Sequence, residues 1–210
     1  MPYRRTPAVQ ARLDAQRTTV LDAATALLAE HGYAGCSMSA VAARAGIATG
    51  SVYRHFPSKA ELSVELFRRV VTREVAAVRE AADRPGEGPA ERVVAVVETF
   101  ARRALKSPRL AYALLAEPVD PAVDAERLVF RRAFRDVFAE HIADGVRNGQ
   151  LPPQDAQLTA AALVGAGAEA LIGPLSDPGR GPDAVPALLA FTLRALGTIG
   201  TMGAVDADHA

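Results

Sequence analysis

Residues 37–62 read Ser-Met-Ser-Ala-Val-Ala-Ala-Arg-Ala-Gly-Ile-Ala-Thr-Gly-Ser-Val-Tyr-Arg-His-Phe-Pro-Ser-Lys-Ala-Glu-Leu. The stretch predicts two short helices around a tight turn. The first runs from Met38 to Ala45, opened by Ser37 or Ser39 and closed by Gly46. The second runs from Thr49 to Phe56 and ends at Pro57. Val41, Ala42, Ala45, Ile47, Val52 and Phe56 are spaced to form one small core between them. Val52 and Phe56 fill the buried side of the second helix, which turns Thr49, Gly50, Ser51, Tyr53, Arg54 and His55 outward. A solvated face more often carries Glu, Lys and Gln. Hydroxyls beside a glycine and a guanidinium suit close approach to a phosphate backbone and to base edges.

Outward from this stretch the chain reads as helix throughout. Ser58 opens a long helix with Glu61 three residues on, a capping box, and Leu62, Leu66, Val70 and Val78 line its apolar face to about Ala82. Lys59 sits in its first turn, where a cation opposes the helix dipole and an arriving phosphate would reverse that cost. Upstream, Val20, Leu21, Ala24, Leu27 and Leu28 share one helical face, and Gly32 stops it. Downstream, the turn from Arg84 to Pro89 precedes helices over Pro89 to Lys106, Arg109 to Ala116, Ala122 to Asn148, Gln154 to Ile172 and Pro182 to Ile199. A frayed tail is expected from Gly203 to Ala210. No alternating run bounded by turns argues for a strand, so the fold class is all-α.

The chain of 210 residues carries 24 basic and 24 acidic side chains. That balance excludes a polycationic scaffold of the histone kind. Residues 1–60 nevertheless hold seven basic side chains against three acidic, and the remainder is acidic to the same degree. A basic head on an acidic body implies an anionic partner for the head. Arg4, Arg5 and Arg12 could reach that partner or remain solvated. Cys36 is the lone cysteine, read as a packing residue, which excludes an internal disulfide and fits a reducing cytoplasm. The N-terminus has no apolar run of signal-peptide kind. Ala156 to Ser176 carries only Glu169 as a charge, but its glycines and lack of basic or aromatic flanks favour a buried helix over a membrane span. His31, His55, His141 and His209 are dispersed, and no metal pair, nucleophile elbow or phosphate loop occurs, so no enzyme, metal or cofactor is expected.

The run Ala45-Gly46-Ile47-Ala48-Thr49-Gly50-Ser51-Val52-Tyr53-Arg54-His55-Phe56-Pro57-Ser58-Lys59 resembles the helix-turn-helix of TetR-family transcriptional regulators. The resemblance implies a DNA-binding head over residues 1–57 and a ligand-binding, dimerising body over 58–210. It implies that Thr49 to His55 form the recognition helix. Thr49, Gly50, Ser51 and Arg54 would then lie nearest the bases, with Ser39, Tyr53, His55 and Lys59 on phosphates. Ala48 departs from the pattern, where the family often places a capping Ser.

In the body, Phe100, Arg103, Tyr112, Glu117, Phe130, Phe134, Phe138 and His141 mix aromatic and polar groups as ligand pockets do, against the plainer reading of ordinary core. The last two helices are apolar around most of their girth, so a second copy is expected to cover them. Glu169 and Arg194 are their internal charges, placed at a solvated rim or in a cross-dimer pair. The resulting expectation is a cytoplasmic homodimer on double-stranded DNA: a repressor that a small apolar or aromatic effector releases from its operator. An activator, a ligand-independent regulator or a small-molecule carrier with a vestigial head remain the alternatives.

Overall fold

The computed structural model describes residues 6–84, 86–177 and 181–198, and every regular element among them is helical. In chain order these are α1 (Pro7–His31), a 3-10 turn (Tyr33–Gly35), α2 (Met38–Ala45), α3 (Thr49–His55), α4 (Lys59–Ala82), α5 (Pro89–Lys106), α6 (Pro108–Leu115), α7 (Pro121–Arg147), α8 (Ala156–Ser176) and α9 (Gly181–Ala195). Arg4, Arg5, the tail from Gly203 and the expected helix end at Ile199 lie outside the described residues.

Local chemistry explains most of the boundaries. Ser37 caps α2, its hydroxyl accepting from Ala40 N at 3.1 Å. Gly46 ends α2 in the left-handed conformation (φ 67°, ψ 32°), which glycine adopts without a Cβ penalty. Ser58 caps α4 by accepting from Glu61 N at 3.1 Å, and Asp155 caps α8. Three boundaries differ from the sequence reading, the first being the last helix: α9 ends at Ala195 instead of running to Ile199, with Gly197 at φ 75° behind it. Thr6 caps α1 with Pro7 following it, so that helix begins well before its apolar face. Helix α8 continues through Pro174 to Ser176 rather than stopping at Ile172. The proline falls in the last turn, and the bond from Asp177 N to Gly173 O at 2.9 Å re-forms behind it.

Two apolar cores share α4. The first packs α1, α2 and α3 against Leu62, Leu66, Phe67 and Val70 of α4, and also takes in Ala113 of α6 and Val123 of α7. The second packs Val78 and Ala82 of α4 with α5, α7, α8 and α9. The head's core is thus closed by α4 and touches the body directly through Ala113 and Val123.

Helix α8 is long and apolar enough to cross a membrane by length and composition, yet only a third of its most apolar window is buried within the chain. Ala160, Leu163, Gly167, Leu171 and Leu175 face the core. Leu158, Ala161, Ala162 and Gly165 are exposed, as are Ala187 and Phe191 on α9. Glu169 and Arg194 are exposed on the same two helices.

Candidate functional site

The outward side of α3 is built on a fixed inner side. Val52 is fully buried and Phe56 nearly so, while Tyr53 is 49% exposed. Arg17 of α1 lies over the Phe56 ring, 4.9 Å from its centroid, and pairs with Glu65 of α4 at 3.0 Å. Gln16 Oε1 lies 3.0 Å from His55 Nε2. These contacts tie α3 to α1 and α4 and set its orientation. Gln16 and Arg17 were not singled out from the sequence, because their partners lie 39 or more residues away.

The candidate contact residues fall on this surface with one difference. Thr49, Gly50, Tyr53, Arg54, Lys59 and Ser39 are exposed, and Ser51 is half-buried. Arg54 Nη2 donates to Ser51 Oγ at 3.4 Å, and the Ser39 and Ser37 hydroxyls are 3.1 Å apart. His55 is half-buried and engaged with Gln16 rather than free. Burial, then the charges of Arg54 and Arg17, hold its imidazole below the ordinary histidine value. Ala48 offers α3 no side-chain cap.

The body encloses a cavity of about 350 Å³ between α4, α5, α6, α7 and α8, with Leu188 of α9 at its edge. Phe67 and Phe130 meet edge to face at 5.5 Å, as do Phe100 and Phe134, and Phe138 completes the aromatic lining. Arg127, Arg131, Phe134 and Phe138 reach it from one face of α7, at helical spacing. Arg103 donates to Glu74 of α4 through Nε and Nη2, at 2.7 and 2.8 Å.

Five of the eight residues singled out for the pocket line it: Phe100, Arg103, Phe130, Phe134 and Phe138. The other three do not. Tyr112 packs against the second core, on the side of α6 away from Leu110 and Leu114, which line the cavity. His141 is buried in α7, one turn beyond the last residue of that helix to reach the cavity. Glu117 follows α6 and turns to the head, its carboxylate accepting from Tyr33 N at 3.0 Å and Ala34 N at 3.3 Å. Sequence reading missed Phe67, Val71 and Glu74 on α4, and Arg127 and Arg131 on α7. The periodicity of those helices held the signal, since each set recurs at three- and four-residue steps. Among the described residues no three His, Cys, Asp or Glu side chains gather to hold a metal.

A model of the tetR family of bacterial regulatory proteins matches residues 20–66, and a tetracyclin repressor-like C-terminal domain model matches residues 86–170. The chain belongs to the tetR family. It is 35% identical over 99 residues to the transcriptional repressor KstR of Rhodococcus jostii, covering 47% of this chain and 45% of that protein. With KstR of Mycobacterium tuberculosis it shares 31% identity over 132 residues, covering 62% of this chain and 60% of the relative. The matches thus span less than two-thirds of these relatives' length. A crystal structure of FadR from Bacillus subtilis in complex with stearoyl-CoA has the same fold, with a TM-score of 0.73 at 17% identity over 86% of this chain and 98% of that one. The first match runs from α1 into α4, and the second covers α5 to α7 and most of α8.

Proposed function

We propose that the protein is a ligand-responsive, DNA-binding transcriptional regulator: a homodimeric repressor released from its operator when a small effector enters the body. The observation that carries this reading is the outward face of α3. Tyr53, Arg54 and Lys59, all within the span the tetR-family model matches, stand exposed on a surface braced by Gln16, Arg17 and Phe56. In this reading residues 1–57 present the DNA-contacting surface and 58–210 form the body, with α4 serving both cores. Ser39, Tyr53 and Lys59 hold phosphates, and Thr49, Gly50, Ser51 and Arg54 lie at the base edges. His55 joins the phosphate contacts only by leaving Gln16. The exposed small-residue stripes of α8 and α9 pair with those of a second copy, which sets two α3 helices against successive major grooves. Such a protein works in the cytoplasm.

The cavity favours an effector with an apolar body and an acidic group. Its walls are mainly Phe, Leu and Val. Glu74, the one carboxylate among the lining residues, is taken by Arg103, while Lys106 and Arg131 have no ion-pair partner among the described residues. FadR's stearoyl-CoA has the same two-part chemistry, a long apolar chain with an anionic head.

Selection of binding sites from random DNA tests the first half. A near-palindrome with half-sites about 34–36 Å apart is expected. No DNA binding even at low salt would leave the carrier reading. Titration with laurate, dodecanol and dodecylamine tests the second half. Laurate should bind most tightly, and Arg131→Met should weaken laurate but not dodecanol. Equal binding of all three would refute the acidic group.

A further inference from the structure

The cavity and the head are joined by one continuous set of polar contacts, and it runs through Arg127. Arg127 lines the cavity, yet its side chain is only 14% exposed. Nε donates to Leu114 O at 2.9 Å, and Nη2 donates to Ala113 O at 2.8 Å and Glu117 O at 2.7 Å. Nη1 donates to Asp124 Oδ1 at 2.7 Å. Arg127 therefore gathers the carbonyls at the C-terminal end of α6, which helix formation leaves unpaired. Four of the five N–H groups of a guanidinium are committed, and one on Nη1 remains for an occupant of the cavity.

The far end of this set is Glu117. Its backbone carbonyl is held by Arg127, and its carboxylate accepts from Tyr33 N and Ala34 N at the start of the 3-10 turn. That turn connects α1 to α2, so a single residue touches both the cavity's arginine and the segment leading into the helix-turn-helix. The junction also contains a cost. The Tyr33 hydroxyl is buried with no hydrogen-bond partner among the described residues. A buried, unpaired donor disfavours the arrangement that strands it, which lowers the cost of leaving this one.

We propose that Arg127 and Glu117 form the coupling element between effector and head. An anionic group in the cavity draws Arg127 away from the α6 carbonyls, the Glu117 carboxylate loosens its hold on Tyr33 and Ala34, and the head leaves its DNA-competent position. This rests on the cavity reading above, and it requires the effector to bind the loosened state more tightly.

The test is hydrogen exchange of the full-length protein, read at the Tyr33 and Ala34 amides against the α4 amides of Leu66 and Val70. Arg127→Met removes the cavity end and Glu117→Gln weakens the head end. Each should speed exchange at Tyr33 and Ala34 by roughly tenfold or more while the α4 amides stay protected. The double variant should exceed Glu117→Gln little or not at all. Arg135→Met, which bonds Asp136 and no carbonyl among the described residues, should leave both sets unchanged. Unchanged exchange at Tyr33 and Ala34 in Arg127→Met, or an equal rise at Leu66 and Val70, would overturn the proposal. These arms need neither DNA nor effector, so they are independent of the regulator reading. Laurate bound to the wild type should speed the same two amides and have no such effect in Arg127→Met. Bound laurate that leaves them unchanged would also overturn it.

Discussion

Gly32 offers the sharpest stability test, because two independent reasons forbid a side chain there. Its backbone lies at φ 69°, ψ −170°, a region that is essentially glycine-only. A Cβ at this position would also stand 2.5 Å from Glu117 Oε2. Gly32→Ala must therefore accept backbone strain of about 1–3 kcal/mol. It must also displace the carboxylate from Tyr33 N and Ala34 N, and hydrogen bonds to charged groups contribute about 1.5–3 kcal/mol each. Even the lower end of these figures, ~4 kcal/mol, corresponds to a Tm lower by roughly 8–16 °C for a chain of this size. Gly46 provides the comparison. It too has positive φ, but a Cβ there meets nothing within 4 Å. Gly46→Ala should cost about 1–2 kcal/mol, a few degrees of Tm. Both variants are compared with wild type by calorimetry at one protein concentration, since oligomerisation makes Tm concentration-dependent. In the Gly32→Ala background, Glu117→Ala should cost much less than it does in wild type. A Gly32→Ala drop no larger than that of Gly46→Ala would refute the Glu117 contact.

Other expectations follow from single groups. Burial pushes the Cys36 thiol up to about 11, and its single S–H has two carbonyl acceptors within reach, Gly32 O at 3.4 Å and Ala24 O at 3.6 Å. It should therefore resist thiol reagents at pH 8 in the native protein and react fully in denaturant; fast native labelling would contradict its place in the core. His55 is held below its ordinary value of 6.5 by burial and by Arg54 and Arg17, so the unfolded chain binds more protons just below that pH. Stability should rise with pH through that window, and His55→Gln should flatten the rise; an unchanged slope in the variant would assign it to another group. Leu158→Glu places a charge on the exposed apolar stripe of α8 and should convert a dimer to a monomer in sedimentation, leaving helix content intact. A Leu158→Glu dimer as stable as wild type would move the interface elsewhere.

The helix-turn-helix was legible in the sequence because its determinants are local. Ser37, Gly46 and Ser58 act within one turn, and Val41, Val52 and Phe56 pack within a short span. The aromatic side of the cavity was legible in part, since large apolar residues at helical spacing on α5 and α7 need a shared interior. What escaped depends on distant partners. Glu117 looks like a pocket carboxylate until the fold brings it to Tyr33, 84 positions earlier. Arg127 carries no local signal, because the carbonyls it holds lie 10 to 14 positions earlier. The contribution of α4 to the cavity, through Phe67, Val71 and Glu74, is hidden because the same helix also closes the head's core. His141 reads as a pocket ligand from its neighbours on α7, but the cavity ends a turn before it.

The central claim is that the face of α3 reads DNA sequence. It is tested most directly by measuring affinity for a selected operator and for scrambled DNA across a salt series, with wild type, Tyr53→Phe and Arg54→Ala. Wild type should prefer the operator by ~10³ or more. Tyr53→Phe should weaken both complexes alike, and Arg54→Ala should reduce the preference itself. Equal wild-type affinity for both DNAs, lost on modest addition of salt, would contradict sequence reading by this surface.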